Sequence, residues 1–122
     1  TVDATFQFAS IDRNGKGYLL TKDRMMWFVN HYAVDENDKS DPLFSPIYQE
    51  DLMGLPPAFV FTAEFDPLHD EGAEYAEQLR SAGCEVQYTD YPGYAHGFIG
   101  VGGPGEEHDK GVAEIVNWLH AQ

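Results

Sequence analysis

Positive charge is scarce in this chain. Seven Lys and Arg stand against 21 Asp and Glu, a formal net charge of −14. A surface of that sign repels phosphate backbones and anionic headgroups over a Debye length, which excludes nucleic acid as an expected partner. The acidity reads as a solubility or salt-adapted surface. Cysteine is rarer still. Cys84, the single one, cannot form an internal disulfide, and its place between Gly83 and the apolar alternation that follows reads as a small buried hydrophobe. A nucleophilic thiol would need exposure there. No apolar run approaches the roughly 20 residues of a membrane span. The opening TVDATFQFAS lacks the basic start and apolar core of a secretory signal, so the expected location is the cytoplasm. The histidines, at 31, 69, 96, 108 and 120, lack the spacing of metal ligands, and no metal or organic cofactor is expected; all but His96 read as solvated.

What remains is globular. A chain of 122 residues with 43% hydrophobic and 14% aromatic content has room for one core, so residues 1–122 are read as a single α/β unit. Helices are predicted at 21–33, 70–82 and 106–120. In the first, Thr21 caps and Met25, Phe28, Val29 and Tyr32 form an apolar stripe; in the second, Tyr75, Ala76 and Leu79 face inward and Gly83 stops the helix; in the third, Val112, Ile115, Val116 and Leu119 share a face. Strands are predicted at 57–63, a continuous apolar run suited to burial on both faces, and at 84–91. The Asp- and Pro-rich stretch from Val34 to Pro57 has no period and reads as a connection. Strand, helix, strand in this order is a right-handed crossover with parallel strands. Two strands leave open edges and too little sheet for their helices, so the unit reads as the end of a larger sheet.

Two residues carry the chemistry. Asp66 follows the first strand, where the chain turns through Pro67, and His96 lies thirty residues later, past a Pro92-Gly93 turn that ends the second strand. Active sites of open parallel sheets gather at such carboxyl ends. A carboxylate there can accept the Nδ1 proton of an imidazole, fix its tautomer and stabilise the imidazolium formed when Nε2 takes a proton. Taken singly, His96 reads as a loop histidine and Asp66 as a turn or capping carboxylate. Taken together, at two strand ends, they read as a base and its orienter. Asp70 and Glu71 read as carboxylates that bias the first turn of the following helix.

The runs GYLLTKDRMMWFVNHY and DPLFSPIYQEDLMGLPPAFVFTAEFDPLHDEGAEYAEQLRSAGCEVQYTDYPGYAHGF, with the final helix, resemble the carboxyl-terminal portion of α/β-hydrolases of the hormone-sensitive-lipase-like esterase family. The sharpest motifs are DPLHDEG and HGF. The resemblance implies that Asp66 and His96 are the acid and base of a Ser-Asp-His triad, that Phe98 and Ile99 lie near the acyl or alcohol pocket, and that the substrate is a short to medium acyl ester. It implies as partners the preceding part of the hydrolase or a homodimer mate paired along 84–91. One departure is large. The family's Gly-x-Ser-x-Gly elbow and His-Gly-Gly oxyanion segment are absent, and Ser10, Ser40, Ser45 and Ser81 sit on no strand-to-helix elbow. The chain is therefore expected to be a piece of an esterase, inactive in isolation. A non-catalytic interaction domain that kept the triad's tail is the alternative.

One further motif competes. Asp12 to Asp23 resembles a calcium-binding EF-hand loop, with Asp12, Asn14, Gly17, Leu19 and Asp23 at positions one, three, six, eight and twelve. Lys16 puts a cation at position five, and Asp23 is shorter than the bidentate Glu that position twelve requires. The same stretch reads more simply as a glycine turn leading to the helix capped by Thr21.

Overall fold

A computed structural model of the chain describes residues 1–101 and 105–122. Strand β1 (Ala58–Phe65) is followed by helix α3 (His69–Ser81) and strand β2 (Val86–Ala95), and the two strands pair in parallel. Helices α1 (Ala9–Asn14) and α2 (Lys22–Tyr32) precede them; α4 (Phe98–Val101) and α5 (Glu106–His120) follow. The three long helices match the sequence expectation to within a residue at every end. Thr21 caps α2 by accepting the Arg24 N–H at 3.3 Å. Gly83, at φ +87°, stops α3 as the Cys84 N–H turns back to Leu79 O at 3.0 Å.

Several short elements were not anticipated. The turn α1 has too few residues for a helical period, and the 34–57 connection contains two 3₁₀ turns, Glu36–Ser40 and Pro46–Tyr48. Pro92-Gly93 is also not a terminating turn: both residues lie inside β2, and the strand runs on to Ala95. Pairing proceeds from Ala58↔Val86 to Ala63↔Tyr91 and resumes at Phe65↔Ala95, so β2 bulges between them. Gly93, at φ +83°, supplies the conformation the bulge needs.

Helix α3 covers the sheet face that carries Thr62. Its Gly72 lies so close that a Cβ there would stand 2.9 Å from Thr62 Cγ2. On the opposite face, Trp118 of α5 meets Phe59 at 6.0 Å between ring centroids, and Tyr91 donates its hydroxyl to Glu114 at 2.6 Å. Beside α3, a small core forms from Leu52, Leu79 and Cys84, with Tyr75 packed on it. Cys84 is buried there as expected and donates its Sγ hydrogen to Leu52 O.

Cover is incomplete elsewhere. β1 is not buried on both faces, since Phe61 remains 40% exposed. In α2 only Met25 and Val29 of the stripe are buried, while Phe28 and Tyr32 face outward. Val112, Val116 and Leu119 of α5 are exposed as well. These are apolar faces in search of a neighbour, the condition expected for the end of a larger sheet. No helix among the described residues is long and apolar enough to cross a membrane.

Candidate active site

Asp66 leaves β1 in a tight turn. Its N–H donates to Ala63 O at 3.1 Å and its Oδ1 accepts the Leu68 N–H at 2.8 Å. That bond orients the carboxylate, so that Oδ2 points toward β2 and meets His96 Nδ1 at 2.8 Å. A carboxylate only accepts, which assigns the Nδ1 proton to the histidine and leaves Nε2 as the free ring nitrogen. Nε2 has no hydrogen-bond partner among the described residues. The Asp66 side chain is 12% exposed and that of His96 37%, so the pair sits at a rim with its carboxylate inside. Gly97, at φ +79°, turns the chain from His96 into α4.

Both residues line a cavity of about 390 Å³ whose walls include Phe61, Ala63, Leu68, Phe98 and Ile99. Phe98 and Ile99 thus share a cavity with His96, with the Phe98 ring held against Tyr91 and Tyr94 at 4.8 and 4.9 Å. No serine lines this cavity among the described residues. Ser10 and Ser45 are fully buried and spent on structure: Ser10 Oγ donates to Pro67 O at 2.7 Å, and Ser45 Oγ donates to Lys39 O at 2.6 Å. Ser40 and Ser81 are exposed elsewhere.

The turn around Asp66 is braced by residues that sequence reasoning placed differently. Asp70 is not merely a first-turn charge: it accepts from the Ser10 N–H at 2.9 Å and from Arg13 at 2.9 Å, and it faces His69 Nδ1 at 2.8 Å. Burial alone would raise the Asp70 carboxyl, but these donors together outweigh it and hold the group below its ordinary value. His69 is not solvated, because its Nε2 also lies 3.3 Å from Asp90 Oδ1 and its side chain is 23% exposed. His108 is half-buried.

Glu71 departs furthest from expectation. It is 1% exposed, and its Oε1 accepts from Thr1 Oγ1 and the Val2 N–H, both at 2.6 Å, while Oε2 has no partner among the described residues. Burial pushes this carboxyl above its ordinary value of 4.5 against the pull of those donors. Between its unfolded and folded values such an acid binds more protons folded than unfolded, so its contribution to stability is present at low pH and lost as pH rises. Glu71→Gln keeps an accepting oxygen and has no charge to desolvate. Urea unfolding at a series of pH values is expected to show this variant gaining stability relative to the native sequence as pH rises above 4.5.

The calcium-loop reading does not survive the geometry. Asn14 Nδ2 points inward to the carbonyls of Glu64 and Asp66, at 2.9 and 3.1 Å, and Asp12 pairs with Lys22 at 2.6 Å. The donor set therefore does not converge on one point, and Gly17 at φ +86° serves the turn before α2.

Known proteins resemble this chain in sequence and fold. Residues 1–100 match the family described as alpha/beta hydrolase fold. An ethyl acetate hydrolase of Pseudomonas putida is 40% identical over 96% of this chain and 37% of its own length. The carboxylesterase NlhH of Mycobacterium tuberculosis is 33% identical over 99% of this chain and 40% of its own. Among solved structures, a hyperthermophilic esterase from the archaeon Pyrobaculum calidifontis superposes with a TM-score of 0.83 at 38% identity, covering 88% of this chain and 36% of that one. The chain thus spans well under half the length of the curated relatives it matches.

Proposed function

This chain belongs to the α/β-hydrolase family, with esterases of the hormone-sensitive-lipase-like group as its relatives, and from that premise we propose that it carries the acid and base of a carboxylesterase triad. The observation that supports this most is the 2.8 Å hydrogen bond between His96 Nδ1 and Asp66 Oδ2, with His96 on the cavity wall and its Nε2 without a hydrogen-bond partner among the described residues. The reaction is hydrolysis of short to medium acyl esters. A serine hydroxyl supplied from outside these 122 residues attacks the ester carbonyl carbon while His96 Nε2 takes its proton. The tetrahedral intermediate collapses, the C–O bond to the alcohol breaks, and Nε2 returns the proton to the leaving alkoxide. A water then attacks the acyl-serine, giving its proton to Nε2, which passes it to the serine oxygen as the carboxylic acid departs. Asp66 orients His96 and stabilises the imidazolium in both halves without itself taking the proton. No cofactor enters this chemistry. The apolar walls at Phe61, Leu68, Phe98 and Ile99 suit an acyl or alkyl group.

A serine-reactive organophosphonate, followed by intact-mass measurement, tests the assignment. No adduct is expected on residues 1–122, and one adduct is expected on the stretch of polypeptide that carries a Gly-x-Ser-x-Gly elbow. Absence of any adduct on an elbow-bearing preparation would sink the esterase reading.

A further inference from the structure

Asp66 and His96 sit on different strands, and the ladder between those strands breaks where the two residues meet. Pairing stops at Ala63↔Tyr91 and resumes at Phe65↔Ala95, so Glu64 alone stands opposite Pro92, Gly93 and Tyr94. A bulge of this kind leaves main-chain groups without ladder partners and lets the bulged strand bend. A bend there would swing His96, because the residue follows directly on the end of β2.

Two side chains brace the break, one across it and one on the β1 side. Glu64 Oε2 accepts the Gly93 N–H at 2.7 Å, doing the work of a strand carbonyl. Behind the strand, Asn14 is 3% exposed and its amide donates to Glu64 O at 2.9 Å and to Asp66 O at 3.1 Å. Both amide hydrogens are thereby used, and the main chain is held on either side of Phe65. We propose that Asn14 and Glu64 are positioning residues for the Asp66–His96 pair: Asn14 fixes the main chain that bears Asp66, and the Glu64 carboxylate locks the β2 bulge three residues before His96. Their joint effect is the 2.8 Å approach of Nδ1 to Oδ2. A base misplaced by a fraction of an ångström loses both that bond and its reach to the nucleophile. The catalytic consequence rests on the esterase reading; the geometric one does not.

The test compares Glu64→Gln, which keeps an accepting oxygen, with Glu64→Met, which has similar length and none. Glu64 is exposed, so both variants are expected to fold. The protein is labelled with ¹⁵N-histidine, and the His96 Nδ1–H proton is followed by NMR. In the esterase that contains the chain, kcat and KM for p-nitrophenyl acetate are measured in parallel. Glu64→Met is expected to broaden or lose the Nδ1–H signal and to lower kcat about tenfold at nearly unchanged KM, with Glu64→Gln close to the native protein in both. Asn14→Asp, of the same shape but without the two donors, is expected to lose the signal too; should it fail to fold, the Glu64 pair decides. An unchanged signal and kcat in Glu64→Met would overturn the proposal, as would a Glu64→Gln variant as impaired as Glu64→Met. Loss of the signal in Glu64→Met alone, in a protein that hydrolyses no ester, would uphold the positioning role and remove the esterase reading.

Discussion

Asp66→Asn, in a complete hydrolase that carries these residues, is expected on the proposed triad to lower ester turnover by about four orders of magnitude while leaving the fold intact. The direction follows from how the turn holds the side chain. Oδ1 accepts the Leu68 N–H at 2.8 Å, and only an oxygen can do so. An asparagine here would keep its carbonyl oxygen at that position and turn its NH₂ toward His96 Nδ1, where Oδ2 now lies at 2.8 Å. An N–H facing Nδ1 forces that nitrogen to accept and moves the ring proton to Nε2. The histidine would then present a proton to the nucleophile where it must present a lone pair. Shape and burial change little, so circular dichroism and the unfolding midpoint are expected to stay near native values as kcat collapses. Unchanged turnover would remove Asp66 from the mechanism.

The second large effect concerns the chain by itself. On the proposed function, residues 1–122 by themselves are expected to hydrolyse p-nitrophenyl acetate no faster than the same concentration of free histidine side chains, since their sequence has no Gly-x-Ser-x-Gly elbow and no His-Gly-Gly oxyanion segment. Placed in the Pseudomonas putida ethyl acetate hydrolase in exchange for the matching 37% of that protein, the same residues are expected to restore turnover to within about a hundredfold of the parent, a rise of a million-fold or more over the isolated chain. The exposed Phe61, Val112, Val116 and Leu119 give the transplant an apolar surface to bury. His96→Ala in the hybrid serves as the control and should return the rate to background. A hybrid that folds and binds an organophosphonate poorly would show that His96 and Asp66 do not form a working pair with that serine.

Much of this architecture is legible along the chain because its signals are local. The period of Tyr75, Ala76 and Leu79, the stop at Gly83 and the strand, helix, strand order specify α3 and the parallel pair without reference to anything distant. Local signals mislead where they serve a non-local purpose. Pro92-Gly93 has the chemistry of a turn, but the neighbouring strand and the Glu64 carboxylate absorb it as a bulge. Glu71 has the charge of a helix start, but its partners, Thr1 and Val2, lie some seventy residues away.

The site divides along the same line. Sequence alone determined that a carboxylate and an imidazole stand at the ends of two adjacent parallel strands, because strand alternation and crossover handedness are properties of short segments. Only the tertiary structure decided that they meet at 2.8 Å, which oxygen and which nitrogen meet, and that Asn14, Ser10 and Glu64 brace the turn. Those contacts join positions 29 to 57 residues apart. Hydrogen-bond geometry over such separations is fixed by packing against the sheet, and a pattern of residue types carries no distance.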